Sequence, residues 1–323
     1  MRFHEAIRYI RIKLDLTQKE IYEEVVSQTT YSRFENGERV LPIEIIEVFA
    51  NRLGMQLSEI YNIQKEQDQR MVYIIDQTKE CLNQKTDPNS KINIQRLEFL
   101  FQTADEYKNT SLEFLRYYYY IRQHFHEFSP KIPQITVKDA DYVYSELKKR
   151  KLITSIHLQF IIDFTVHFSD KRILDISNLF KNYDFKQISS LNSRYSYQLP
   201  EALSNLADRS IDRALYQEEE MKNKLLQNAD ELLETLIKYQ EIKYSSDHVI
   251  LYKVSKYRYD YYIAKDEKEK QTAIMNVEDF LEELRYSIAK SPVKHIYAEG
   301  CIPSVENTLA GKLPLKEINY IIN

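Results

Sequence analysis

The 323-residue sequence predicts an all-α fold, on three observations. It holds only four glycines and eight prolines, too few for the many tight turns of a strand-rich protein. Apolar residues return at 3–4 spacing in one stretch after another, the signature of helices with one buried face. Turn-forming breaks recur roughly every 35 to 45 residues, about one helical hairpin. The expected architecture is a five-helix domain over residues 1–64, a polar linker at 65–70 and a helical repeat domain over 71–323.

Phe3 to Asp15 reads as the first helix, with Phe3, Ala6, Ile7, Ile10 and Leu14 on its buried stripe. Thr17 and Glu20 form a T-x-x-E capping box, in which each side chain bonds the other's backbone N–H. They open a second helix whose neighbourhood offers Ile21, Val25 and Val26 to a core. Ser27 is a second N-cap, for a helix over Gln28 to Asn36. Gly37 then suits the left-handed position just past a helix end. Pro42 fits the first turn of a helix to Leu53, with Ile43, Ile46, Phe49, Ala50 and Leu53 inward and Gly54 as its cap. Ser58 to Ile63 reads as a short fifth helix, with Ile60 and Ile63 packing back.

The third of these helices has the composition of a DNA-reading element. No acid occurs from Val25 to Phe34, and Gln28, Thr29, Ser32 and Arg33 share its outer face. Amides, hydroxyls and one Arg can bond base edges or phosphates in a major groove. Here the chain resembles the helix-turn-helix of the phage-repressor (Cro/C1 or Xre) type, through Gln18 and the run Ser32-Arg33-Phe34-Glu35-Asn36-Gly37. The resemblance implies that Gln18 bonds a phosphate and braces the reading helix, and that a helix-1 Arg, Arg8 or Arg11, pairs with Glu35. Tyr31, Asn36 and Arg39 join Gln18 as expected holders of phosphate or backbone register. The sequence departs from that family in a shorter turn without glycine, Val25-Val26-Ser27, and in Tyr22 where a small residue is usual. Both features, with Tyr31-Ser32-Arg33-Phe34, are similar to the Rgg/MutR branch.

Charge limits how such a domain can act. The chain has a formal net charge of −4, and residues 1–64 carry eight Lys/Arg against ten Asp/Glu. Binding to DNA would rest on placement, with Arg2, Arg8, Arg11, Lys13 and Lys19 on one side and Arg33 and Arg39 on the other. A dimer would double the phosphate contacts.

Gln64 to Arg70 is polar and free of Gly and Pro, the composition of a helical linker. Beyond it, helices are expected over 69–84, 91–107, 111–127, 136–149, 152–167, 170–182, 200–221, 222–242, 247–264, 271–289 and 304–322. The predicted breaks include 87–90, 129–133, Leu199-Pro200, 265–270 and Ser291-Pro292. Tyr257, Tyr261, Ala264, Ala273 and Phe280 resemble a degenerate tetratricopeptide unit, so the array is read as TPR-like. Stacked hairpins of this kind present a concave face. Arg116, Tyr119, Gln159, Asn205, Arg209, Arg213, Lys256 and Tyr259 are the candidates to bond the backbone of an extended peptide there. Tyr117 to Tyr120 circle a whole helix turn, so part of that run belongs to the core.

The combination resembles the Rgg/PrgX group of peptide-sensing regulators, within the RRNPP family of Gram-positive bacteria. The resemblance implies a cytoplasmic homodimer, or a higher oligomer, that binds double-stranded promoter DNA and is controlled by a short signal peptide in the concave face. Two other readings stay open on the residues alone: a phage-like repressor with a small-molecule or protein effector, and a helical-repeat adaptor for a protein partner.

The sequence argues against several other classes. Four glycines build no phosphate-cradling loop, and H-E-x-x-H is absent. His124 and His126 stand two apart and do not share a helix face. Asp163 and His167, four apart, suit a groove hydrogen bond better than catalysis. Cys81 and Cys301 show no metal spacing and fit a reducing compartment. No catalytic residue, metal or cofactor is expected. No signal-peptide core and no run of 18 apolar residues stands in the sequence, so no membrane partner is expected.

Overall fold

A computed structural model of the chain describes residues 2–64, 69–87, 89–150, 152–180, 193–290 and 296–310. Every regular element among them is helical. The contacts divide into two units, residues 1–103 and 104–323, each with its own packing.

The first unit begins with five helices: α1 (Phe3–Lys13), α2 (Gln18–Tyr22), α3 (Gln28–Glu35), α4 (Ile43–Arg52) and α5 (Leu57–Gln64). Their ends follow local chemistry. Thr17 N–H donates to Glu20 Oε2 at 2.7 Å and Glu20 N–H returns to Thr17 Oγ1 at 3.3 Å. Ser27 Oγ accepts from Thr30 N–H at 3.2 Å and starts α3. Gly37 (φ 76°) and Gly54 (φ 69°) take the left-handed conformation that ends α3 and α4. Gly37 is required on a second count, because a Cβ there would lie 2.6 Å from the His4 ring. The glycine-less turn after α2 puts Glu24 in the left-handed region instead, at φ 63°.

The core of this domain joins Ala6, Ile7, Ile10, Ile21, Tyr31, Phe34, Phe49, Ala50, Leu53 and Ile60. Tyr31 meets Phe49 edge-on at 5.1 Å. Each such side chain, fully buried, contributes about 1.5–3 kcal/mol. Two expected core residues lie outside it. Leu14 is 49% exposed, because α1 ends before it, and Ile43 is 51% exposed at the first position of α4. Ile45 packs against the core beside Ile46. Val25 and Val26 also pack there, from the turn beyond α2. The side chain of Ile63 and residues 65–68 of the expected linker lie outside the described residues. The same unit includes α6 (Gln69–Thr86) and the start of α7 (Ile94–Tyr107). Arg96 bonds Glu80 and Gln77 across that pair.

The second unit stacks helices in two rows. One row is α8 (Leu112–Phe125), α10 (Ser155–Phe164), α12 (Ser193–Ala214), α14 (Ser246–Ile263) and α16 (Ile296–Leu309), each packing on the next. The other is α9 (Val137–Lys148), α11 (Asp170–Ser177), α13 (Glu219–Ile242) and α15 (Glu267–Lys290). Short 3₁₀ turns follow α10, at Thr165–His167, and α11, at Asn178–Phe180. Asn228 of α13 donates to Ser177 of α11 at 3.0 Å and to Ser210 of α12 at 2.9 Å, a buried polar tie between the rows. Tyr257 meets Phe280 at 5.4 Å, joining α14 to α15.

Two breaks differ from expectation, and the first is at 265–270, where α15 already starts at Glu267. Pro200 does not start a helix; it lies inside α12, and the interruption comes after Ala214. An internal proline costs about 3 kcal/mol. The buried Tyr195, Leu199, Ala202, Leu203 and Leu206 on either side of it outweigh that cost by packing α12 against its neighbours. The predicted break at Ser291-Pro292, and residues 311–322 of the predicted last helix, lie outside the described residues. Among the described residues, no helix is long and apolar enough to cross a membrane.

Candidate nucleic-acid interface and inner helical surface

The outer face of α3 is open. Gln28, Thr29 and Arg33 are exposed, Ser32 is partly so, and Asn36 and Arg39 flank them on the surface. Arg39 reaches Thr30 Oγ1 at 3.5 Å, next to the Ser27 cap. Asn36 borders a surface hollow that Arg2 and Arg8 of the α1 region also line.

Beneath that face sits a knot of hydrogen bonds on Glu35, itself 3% exposed. Arg11 Nε donates to Oε1 at 2.6 Å and Nη2 to Oε2 at 3.1 Å. Gln18 Nε2 donates to Oε2 at 2.6 Å, and the Tyr31 hydroxyl to Oε1 at 2.9 Å. Burial pushes the Glu35 carboxyl up, but the bonds from Arg11, Gln18 and Tyr31 outweigh it and hold it below the usual carboxylate range. Arg11 is thus the helix-1 partner that the Glu35 position calls for, and Arg8 stays exposed. Arg52 of α4 adds a second brace, donating to the carbonyls of Ile21 at 3.1 Å and Glu23 at 2.7 Å. It holds the turn in which Glu24 is strained. No local pattern marks Arg52 for this role, because its partners lie 31 and 29 positions away.

Tyr31 corrects the expected interface. It is fully buried, packed on Phe49 and Tyr22 with its hydroxyl on Glu35, so it cannot touch a phosphate. Gln18 is partly buried and committed by one N–H to Glu35; its second N–H is available to a ligand.

In the second unit, six of the candidate peptide contacts lie on α8, α10 and α12. Arg116 Nε pairs with Asp163 Oδ2 at 2.7 Å, with side chains 16% and 7% exposed. Gln159 accepts from Gln198 Nε2 at 2.7 Å. Glu201 lies beside this pair; burial, then Asp163, pushes its carboxyl up. Asn205, one turn on, is partly exposed. Further along α12, Asp208 and Asp212 both bond Arg258 of α14, at 2.8 and 2.5 Å. Arg213 is engaged by the Phe168 carbonyl at 3.3 Å and by Asp170 at 3.5 Å. Arg209 is 6% exposed, and its Nη1 has no hydrogen-bond partner among the described residues.

Four expected contacts, Tyr119, Arg209, Arg213 and Tyr259, are buried rather than open surface. Tyr119 is 6% exposed and meets Phe164 edge-on at 5.1 Å, so it packs α8 on α10. Tyr259 is 9% exposed, with Lys256 over its ring at 5.3 Å and Asp230 of α13 in electrostatic reach. Lys256 pairs with Asp260 at 2.5 Å. Both therefore sit toward the α13 side of α14. Asp163 is taken by Arg116 and does not pair with His167.

Among the described residues, no group of three or more His, Cys, Asp or Glu could hold a metal ion. Burial pushes the thiols of Cys81 and Cys301 up, the latter to about 11.

Residues 7–60 match the model of a helix-turn-helix family. No curated protein matches the chain in sequence. Solved structures match it almost end to end. The PrgX/cCF10 complex has a TM-score of 0.59 at 15% identity, covering 95% of this chain and 99% of that one. The Streptococcus dysgalactiae SHP pheromone receptor Rgg2 has a TM-score of 0.62 at 10% identity, covering 93% and 98%. A bacterial peptide pheromone/receptor complex gives 0.57 at 16%, covering 96% and 99%. The chain thus has the fold of these receptors from the helix-turn-helix through the helical array.

Proposed function

We propose that the chain is a DNA-binding transcriptional regulator of quorum-sensing type, controlled by a short signal peptide held on the inner helical row. The observation that carries the DNA half is the open, acid-free face of α3, set on a core whose buried polar groups around Glu35 are fully bonded. Gln28, Thr29, Ser32 and Arg33 read base edges in the major groove. Gln18, Asn36 and Arg39 hold phosphates and fix the register, with Arg2 and Arg8 near Asn36. The domain's slight acid excess makes one copy a weak binder, so the working form is a homodimer or higher oligomer in the cytoplasm. The reading is of a regulator, not an enzyme.

The sensing half rests on the likeness to peptide-pheromone receptors and on the polar groups lining α8, α10 and α12. A peptide that binds one arrangement better shifts the population toward it, and so alters the hold on DNA. Fluorescence anisotropy on labelled DNA from upstream of its own gene tests the first half at fixed salt. Specific binding that Arg33→Ala weakens is expected; binding indifferent to DNA sequence and to Arg33→Ala would refute the interface. Titration with short peptides tests the second half, by a change in operator affinity or oligomeric state.

A further inference from the structure

Helix α12 contains a buried cation, Arg209, whose charge is poorly met. The charged groups around Arg209 are met to different degrees. Arg258 takes both Asp208 and Asp212. Arg213 donates to the Phe168 carbonyl and lies 3.5 Å from Asp170, although its Nε and Asp170 Oδ1 make no hydrogen bond among the described residues. Arg122 takes Asp139. Among the described residues the carboxylate paired with Arg209 is Asp212, with Oδ2 at 3.9 Å, too far for a hydrogen bond, and the other oxygen of that carboxylate is bound to Arg258. His167, at the end of the 3₁₀ turn after α10, lies in electrostatic reach of Arg209. Its Nε2 is also buried without a partner among the described residues. A buried guanidinium left in this state is unfavourable, and folding alone does not explain keeping it.

We infer that Arg209, with His167 beside it, is the subsite for a carboxylate of the ligand. This rests on the proposed peptide-sensing function. A carboxylate can come from the peptide's free C-terminus or from an Asp or Glu side chain. Either would bond the guanidinium in a water-poor setting, where a charge-assisted bond is strong. His167, kept neutral by burial, would offer its Nε2 as a donor to the same group.

The test uses the full chain, wild type and Arg209→Met, with three pools of randomised octapeptides. The first has free C-termini and no Asp or Glu, the second is C-terminally amidated and contains Asp or Glu, and the third is amidated and lacks both. Retained peptides are identified by affinity selection and mass spectrometry. Wild type should retain the first or the second pool at least about tenfold over the third, and the preferred pool names the source of the carboxylate. Arg209→Met should abolish that preference and melt no lower than wild type, because it removes a poorly compensated charge. Equal retention of all three pools, or a preference that survives in Arg209→Met, overturns the subsite. A variant that melts several degrees lower would make Arg209 a structural ion-pair member and also overturn it. If wild type retains no pool at all, the peptide-sensing function itself fails, and the subsite with it.

Discussion

Glu35 and Arg209 are both buried charges, one in each unit, and their surroundings are opposite. Glu35 receives bonds from Arg11, Gln18 and Tyr31. The Arg209 Nη1 atom has no hydrogen bond among the described residues. A buried charge with a complete set of donors is part of the framework, since removing it strands every partner. A buried charge with no hydrogen-bonded counter-ion carries a desolvation cost that a ligand could offset, which is the basis of the proposed subsite. The same rule of polar satisfaction therefore separates the scaffold that presents α3 from the proposed ligand subsite.

The largest effect should come from breaking the satisfied site. Glu35→Ala leaves Arg11 without its counter-ion and Tyr31 and Gln18 without acceptors, and should destabilise the N-terminal unit by about 3–5 kcal/mol in denaturant unfolding. Arg209→Met should show no such loss, and if both variants melted alike the contrast would collapse. Next is the acid side. Burial first, then nearby Arg209, lowers the His167 pKa from 6.5 to about 4; Asp139 opposes this, while His126 and Arg122 add to it. The folded value lies below the unfolded one, so this stability is complete above about pH 6.5 and is lost as pH falls toward 4. The loss should be on the order of 2 kcal/mol. His167→Asn should flatten that window, which stability measurements at stepped pH would reveal.

Arg33→Ala should weaken operator binding by about 1–3 kcal/mol while leaving the melting temperature in place, separating a reading residue from the Glu35 framework beneath it. The smallest effect expected is that of Tyr31→Phe. It removes one donor to Glu35 and keeps the ring, so about 1 kcal/mol of stability should go. Operator affinity of the folded protein should not change; a selective loss of DNA binding would return Tyr31 to the interface.

The α3 face was legible in the sequence because its signals are local. The Ser27 cap, the acid-free run from Val25 to Phe34 and Gly37 all act within one or two helical turns. Glu35 and a helix-1 arginine were legible only through resemblance to a family. Tyr31 was misplaced because a helix position gives its direction only once the neighbours are known, and Phe49 and Tyr22 close over it. On the inner row, Arg209 and Arg213 look alike in sequence, four apart on one helix. Only the fold gives the Phe168 carbonyl to Arg213 and leaves Arg209 an Asp212 oxygen beyond hydrogen-bond reach.

The sequence by itself determined the all-α class, the Thr17 and Ser27 caps, the glycine ends of α3 and α4, and the open chemistry of α3. Each depends on contacts three or four residues apart, or on a glycine's freedom at φ 76°. Tertiary structure decided which polar side chains are spent and which are left. The partners of Glu35 lie up to 24 positions away, and Arg116 finds Asp163 across 47. Such pairs exist only after burial has brought the helices together, because desolvation is what makes a missing partner costly and a present one strong.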